Sequence, residues 1–418
     1  MNDGDGTQKK GLLGLSRTIV TLGVVSLLTD LSTEMLVPLI PLFLQNVLRT
    51  PATDIGVIAG VAESTASLLR VYAGWLADRL GRPKLLAVLG YGLSSVAKPF
   101  LAVSTTWHHV LVVRFADRFG KGIRSAPRDV IIAEAAPQEI RGKAFGFHRA
   151  MDTTGAVLGP LAALIIITFF IRQSERHAFT AVFLIAAVPA LLGVAVLAIF
   201  VPEKPKEARP VAPPKVNWRV LSPRLKRFLL VVAVFSIGNS SDDFLILRAK
   251  DLIMRAHSFP ATLAQILLIY IVFNAVAAIF TLPAGMLSDK VGRAPVVLAG
   301  LLVFALTYLG FGLAATPAAA WVLFLIYGLY YALTAGVLRA FAADLAPPEI
   351  RGTVIGAYFT IESLCLLPAS VIAGVLWDHV SHAAPFYYGA ATSTLAVLLL
   401  LTLVRSETGG RQQVIGDR

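Results

Sequence analysis

The sequence predicts an all-α membrane protein, about twelve transmembrane helices arranged as two pseudo-symmetric six-helix bundles. Three observations carry this. Of 418 residues, 56% are hydrophobic and only 15% charged, with a mean hydropathy of +0.73, whereas a soluble domain carries nearer a quarter charged residues. Apolar runs long enough to cross a bilayer recur, among them 178–201, 261–284 and 383–404. Finally, stretches of the first half return in the second. GWLADRLGRPKLL at 74–86 is answered by GMLSDKVGRAPVV at 285–297, and APQEIRG at 136–142 by APPEIRG at 346–352, offsets of 211 and 210. A weaker match, again at 210, pairs SLLTDLSTE from Ser26 with SIGNSSDDF from Ser236. Parallel repeats of this kind place a binding site between the halves, near the bilayer midplane.

Taken in order, the chain opens with a polar, then basic segment, 1–16, followed by a run too long for a signal-peptide core and without a small-residue cleavage site, so it is read as a retained first helix. Helices are expected near 17–46, 55–78, 83–104, 107–135, 141–170 and 177–200, forming a first bundle over 17–200. The proline- and charge-rich stretch 203–227 cannot pack a core; the linker is placed at 201–224. A second bundle over 225–405 follows, with helices near 225–249, 261–288, 294–315, 318–345, 351–377 and 383–404, and then a tail, 406–418. The net charge of +12 sits mostly in short loops. It therefore encodes orientation in a membrane and not nucleic-acid binding. With both termini in the cytoplasm, Lys9, Lys10, Arg79, Arg82, Lys84, Arg141, Lys143, the linker cluster, Lys290, Arg293, Arg351 and Arg405 fall inside. Arg49, Arg172, Arg176 and Arg255 fall outside, with Arg248 and Lys250 near that edge. That bias predicts a multi-pass protein of the inner (plasma) membrane. A lone cysteine, Cys365, offers neither a disulfide nor a cysteine metal site.

Ionised groups inside apolar runs are expensive, so each needs water, a counter-ion or a ligand. On the first helix Asp30 and Glu34, at i and i+4, share a face. Asp30 lies near mid-bilayer, where an acid costs roughly 2.5–3.5 kcal/mol on insertion scales, and the pair is read as proton-coupling or as a structural partner of nearby cations. The fourth helix carries Arg114, Arg118, Lys121, Arg124 and Arg128 at spacings of 4, 3, 3 and 4, one stripe with Asp117 on its edge. Facing lipid, the stripe would cost on the order of 10 kcal/mol on the same scale; it must face water, carboxylates or solute. Arginines there would suit an anion through bidentate contacts. The plainer alternative has Arg124 and Arg128 reaching the cytoplasmic surface while Arg114 and Arg118 pair with Asp30, Asp117 or Asp152. The fifth helix has His148, Arg149 and Asp152, with His148 and Asp152 on one face, a pairing suited to proton relay or to simple hydrogen bonding. In the eleventh helix Glu362 occupies the repeat position of Asp152. His108, His109, His379 and His382 lie in outer loops and are not read as a metal site. No phosphate-binding loop, H-E-x-x-H or G-x-S-x-G is present, and neither cofactor nor enzymatic activity is expected.

These motifs, over essentially the whole chain, resemble the major facilitator superfamily. Its loop signature G-x-x-x-D-R-x-G-R is matched by Gly74, Asp78, Arg79, Gly81 and Arg82, and again by Gly285, Asp289, Lys290, Gly292 and Arg293. GAVLGP, with Gly155, Gly159 and Pro160, is similar to the G-x-x-x-G-P motif of the superfamily's proton antiporters. RFGKGIRSA from Arg118 is similar to R-x-x-Q-G-x-G-A-A, departing at Lys121 and Arg124. The resemblance implies a secondary transporter working by alternating access, its loops gating the outward-open form. It also implies a cavity lined by the first, fourth, seventh and tenth helices. That adds Asn239, Asp242 and Asp243, and Tyr327, Tyr331 and Arg339, to the cavity candidates, with Tyr330 beside them. The expected activity is proton-coupled export of a small organic anion or zwitterion by a monomer whose partners are solute, protons and lipid. The alternatives are a multidrug or metal-cation exporter of the same fold, or a membrane-embedded receptor or scaffold without flux.

Overall fold

The computed structural model describes residues 14–171, 174–203, 221–347 and 350–416, with the side chains at 71, 78, 352, 353 and from 404 onward outside that description. The segment 1–13 with Lys9 and Lys10, linker residues 204–220, Arg172, and the side chains of Asp78 and Arg405 therefore lie outside the described residues.

Every described element is helical. The first half comprises α1 (Arg17–Leu36), α2 (Ile40–Leu42) running into a π-helix at Phe43–Val47, and α3 (Ala52–Leu80). It continues with α4 (Pro83–Ala97), closed by a 3₁₀ turn at Lys98–Val103, then α5 (Trp107–Ala135), α6 (Arg141–Phe170) and α7 (Glu175–Phe200). The second comprises α8 (Pro223–Ser236), α9 (Asp243–Ile253), α10 (Phe259–Val291), α11 (Arg293–Leu313), α12 (Pro317–Thr334), α13 (Val337–Asp344), α14 (Arg351–His379) and α15 (Ala384–Gly416).

Three of the expected continuous helices are broken. The first interrupts at 37–39, where Pro38 lacks an N–H and crowds the preceding turn. The seventh opens over 237–242, a run of glycine and short polar side chains that compete for backbone hydrogen bonds. The tenth pauses at Ala335 and Gly336.

Among the described residues, nine helical stretches are long and apolar enough to cross a membrane. The segments outside that set are 52–80, 107–135 and 223–253. The first two carry intramembrane charge and the third is split in two, so the features that lower their apolar signal are the ones that build the site below.

In the first half α1 lies on α6 and α7, and α5 on α3 and α4. In the second, α10 and α11 lie on α12, and α11 on α15. The groups meet chiefly where α3 lies on α14 and α6 on α10. Without water to drive helices together in lipid, close van der Waals approach at small residues holds them. A Cβ at Gly60 would stand 2.7 Å from the Leu367 backbone, and one at Gly374 2.5 Å from that of Thr53.

Candidate functional site

The site begins with the fit of α6 on α1. A Cβ added at Gly155 would fall 2.9 Å from the Cβ of Asp30, and one at Gly159 2.8 Å from that of Glu34. The four-residue spacing of the glycines matches the four-residue spacing of the acids, so the backbone of α6 seats itself on the turn that carries both carboxylates. Asp30 is half-buried and stands in electrostatic range of Lys121, Arg124 and Arg128 on α5 and of Asp152 on α6. Asp152 accepts from the Ser26 hydroxyl, with His148 Nδ1 at 3.5 Å and Arg149 Nη1 at 4.0 Å. Glu34 reaches the other half: its Oε2 accepts from the Tyr270 hydroxyl of α10 at 3.1 Å.

The basic stripe of α5 points inward. Arg114, Arg118 and Arg124 are buried, and Lys121 and Arg128 half-buried. Glycines allow this: Gly120 takes the backbone of α4 at Gly90, and Gly122 that of α3 at Ala66, so three helices close around the arginines. Arg118, 3% exposed, holds Glu63 Oε1 at 3.2 Å from its Nε and Asp117 Oδ2 at 3.5 Å. Arg114 Nη2 lies 3.7 Å from the same Glu63 oxygen. These are ion pairs and not aligned hydrogen bonds, because the Nε atoms of Arg114 and Arg118 remain without a hydrogen-bond partner, as does Nη1 of Arg124. Arg124 instead lies over the Tyr91 ring, 4.4 Å from its centroid. Arg128 pairs with Asp129 at 2.8 Å. Asp117 also accepts from Ser94.

Glu63, Lys98 and Tyr270 escaped the sequence reading. Glu63 stands in an otherwise apolar and small-residue run of α3, and an intramembrane acid is a functional candidate on that ground alone. Its side chain keeps 35% exposure although it lies between two buried arginines, which marks an open crevice beside them. Lys98 is buried and donates to Ser32 Oγ at 3.0 Å and Thr33 Oγ1 at 2.9 Å, bracing α1 from behind.

The second half presents acids and rings. In the break between α8 and α9, Asn239 Nδ2 donates to the Tyr330 hydroxyl at 3.4 Å, and Asp242 accepts from the Tyr327 hydroxyl at 2.7 Å. Asp243 opens α9, buried, in range of Arg114 and Glu63. Tyr327 and Tyr330 are buried among Phe273, Phe304 and Tyr308, whereas Tyr331 stays 42% exposed. Arg339 and Glu362 form a separate group. Arg339 is exposed, donates to Ala335 O at 2.9 Å and lies 5.9 Å from the Phe359 centroid, while Glu362 accepts from Tyr358 at 3.3 Å.

Gly81 ends α3 at φ +63° and Gly292 precedes α11 at φ +95°, conformations that glycine adopts without strain. Gly74 and Gly285 lie one turn or more inside α3 and α10, and Arg82 precedes α4. Arg79 lies 5.3 Å from the Trp75 ring centroid. In the second loop Arg293 bridges Asp289 at 2.6 Å and Asp344 at 3.1 Å, tying α10 and α13 to the start of α11.

At the opposite end the halves are tied directly. Asp378 of α14 accepts from Ala52 N at 3.0 Å, Thr53 N at 2.8 Å and Thr53 Oγ1 at 2.7 Å. Lys250 of α9 donates to Gln45 and to Asn46 in the π-helical end of the first helix.

Comparison with known proteins follows the same lines. The model for the Major Facilitator Superfamily matches residues 22–249 and again 241–416. An MFS-type transporter of Methanocaldococcus jannaschii, itself described as uncharacterized, is 38% identical over 387 residues, covering 93% of this chain and 95% of that one. The quinolone resistance protein NorA of Staphylococcus aureus is 26% identical over 126 residues, 30% of this chain and 32% of that protein. Among solved structures, a crystal structure of nucleoside transporter NupG superposes with a TM-score of 0.77 at 14% identity, covering 93% of this chain and all of that one (100%), a likeness of fold.

Proposed function

The chain belongs to the major facilitator superfamily of membrane transporters, and on that premise we propose that it moves a small organic anion or zwitterion outward in exchange for protons. Two six-helix bundles, 17–200 and 225–405, rock about a central crevice, with both termini on the cytoplasmic side of the inner membrane and a single chain as the working unit. The observation that carries the solute class is the pairing of two buried arginines, Arg114 and Arg118, with one partly exposed carboxylate, Glu63. A carboxylate or phosphate entering the crevice finds two guanidiniums already oriented, with donors to spare. Lys121, half-buried on the same stripe, adds to the field.

Proton coupling falls to Asp30 and Glu34. Asp30 lies in range of Lys121, Arg124 and Arg128, so protonating it releases its hold on the cytoplasmic part of the stripe and biases the rocking equilibrium between the halves. Glu34, bonded across the halves to Tyr270, links charge to the rocking motion. Asp152 and Glu362 are the secondary carriers. GAVLGP and the stretch of likeness to a quinolone resistance protein favour export. In proteoliposomes, an imposed pH gradient drives organic-anion flux through the wild type. Arg118→Gln abolishes that flux, and Asp30→Asn leaves exchange that no longer responds to pH. Anion flux undiminished in Arg118→Gln refutes the assignment.

A second reading has its own observation. Asp242, in electrostatic range of the exposed Tyr331, together with its chain neighbour Asp243 would suit a lipophilic cation. Asp242→Asn separates the two, removing cation transport under that reading and sparing anion flux under the first.

A further inference from the structure

The two walls of the crevice differ in kind, and the difference selects a solute. The wall from α3 and α5 is cationic, with Arg114 and Arg118 against Glu63. The second half contributes Tyr331 on α12, in electrostatic range of Glu63. Three neighbouring rings brace it, Phe273 at 5.6 Å and 89°, Tyr330 at 6.0 Å and 85°, and Tyr327 at 6.3 Å and 66° between centroids and planes. All three bracing rings are buried. Edge-to-face packing of this sort fixes the ring, and Tyr331 is 42% exposed where the braces are not. Its hydroxyl lies in electrostatic range of Asp242 and Glu362 of the second half and of Glu63 and Glu34 of the first, which puts it on the side where the halves meet. The contact from Tyr270 to Glu34 at 3.1 Å, with Tyr270 5.8 Å from Phe273, joins the aromatic cluster physically to the charged wall.

We propose that the solute is an aromatic organic anion, its charged group replacing Glu63 against Arg114 and Arg118 and its ring lying on the exposed face of Tyr331. This rests on the anion reading above and narrows it. Glu63 occupies the place against the guanidiniums that the solute's own carboxylate takes. Tyr331 discriminates the solute's body, since a flat ring gains face contact there that a flexible alkyl chain of the same charge does not.

The test measures binding to the purified full-length protein by calorimetry, at fixed pH and salt, with acetate, hexanoate, phenylacetate, indole-3-acetate and the neutral phenylacetamide. Phenylacetate and indole-3-acetate bind more tightly than hexanoate by roughly fivefold, the scale of one aromatic contact, and phenylacetamide does not bind. Tyr331→Ala brings the ratio of phenylacetate to hexanoate affinity close to one. Tyr331→Phe keeps it, which separates loss of the ring face from loss of the fold. Equal binding of hexanoate and phenylacetate, a ratio unmoved by Tyr331→Ala, or no binding by either aromatic carboxylate overturns the aromatic assignment. The anion reading survives the first two of these outcomes if binding still vanishes in Arg118→Gln. Carboxylate binding that is the same in wild type and Arg118→Gln overturns both.

Discussion

Replacing Asp378 with alanine isolates the energy that holds one end of the crevice shut. The N-cap of α3 is Pro51, whose side chain makes no capping hydrogen bond. The first turn of that helix therefore exposes N–H groups and a partial positive charge. Asp378, on α14 of the other half, supplies the cap in trans through Ala52 N, Thr53 N and the Thr53 hydroxyl, at 3.0, 2.8 and 2.7 Å. Losing a capping side chain costs about 0.5–2 kcal/mol, and charged hydrogen bonds reach somewhat more, but Asp378 is exposed and solvent takes back part of it. The working figure is about 1–2 kcal/mol, a roughly 5–30-fold change in a two-state population. Because the contact joins the halves, the loss falls on the closed arrangement alone. The assay is thiol labelling of Ser64→Cys in a Cys365→Ser background. Ser64 of α3 is buried, its hydroxyl donating to Ser363 O of α14 at 2.6 Å, and it becomes reachable when α3 and α14 part. Asp378→Ala should raise the labelling rate of the solubilised protein about 5–30-fold. A rate unchanged or lowered would refute the idea that this cap holds the halves together.

Other outcomes follow from the same contacts. Glu63→Gln frees Arg114 and Arg118 from their shared carboxylate, so anion affinity measured by calorimetry should rise severalfold, and a fall would argue that Glu63 positions the arginines and does not compete with solute. Gly159→Val forces a side chain onto Glu34 and the α1 backbone at 2.8 Å; overpacking of that kind costs about 1–3 kcal/mol and should lower the apparent melting temperature, whereas the same change at Gly285, where a Cβ would meet nothing within 4 Å, should leave it unchanged. Asp344→Ala, removing one of the two carboxylates on Arg293, should weaken solute exchange without affecting equilibrium binding if that loop gates the motion.

Much of this architecture is legible in the sequence, for physical reasons that also mark its limits. Hydropathy finds spans because lipid penalises polar surface residue by residue, a local effect. The helix at 107–135 keeps its expected bounds, and the α6 glycines meet the α1 acids because both follow the same helical spacing. Partner choice is not local. Arg118 pairs with Glu63 because α3 closes on Gly122, a tertiary contact that no spacing on α5 announces. Neither Asp30 nor Asp152, weighed from sequence as partners for Arg114 and Arg118, makes an ion pair with either among the described residues; Asp117 pairs only with Arg118. The break at 237–242 did have a signal, Gly238 followed by Asn239, Ser240 and Ser241, submerged by the apolar residues on either side. Lys98, inside the helix expected at 83–104, is turned inward to Ser32 and Thr33, a contact between helices that no local pattern announces.

The central claim is that charged side chains between the two halves form a wet, anion-holding crevice whose occupancy is tied to protons. Its most direct test is indole-3-acetate flux in proteoliposomes under an imposed pH gradient, comparing wild type with Arg118→Gln at matched reconstitution. Gradient-driven flux in the wild type and none in the variant is the predicted result. Flux indifferent to the gradient, or retained without Arg118, would contradict it.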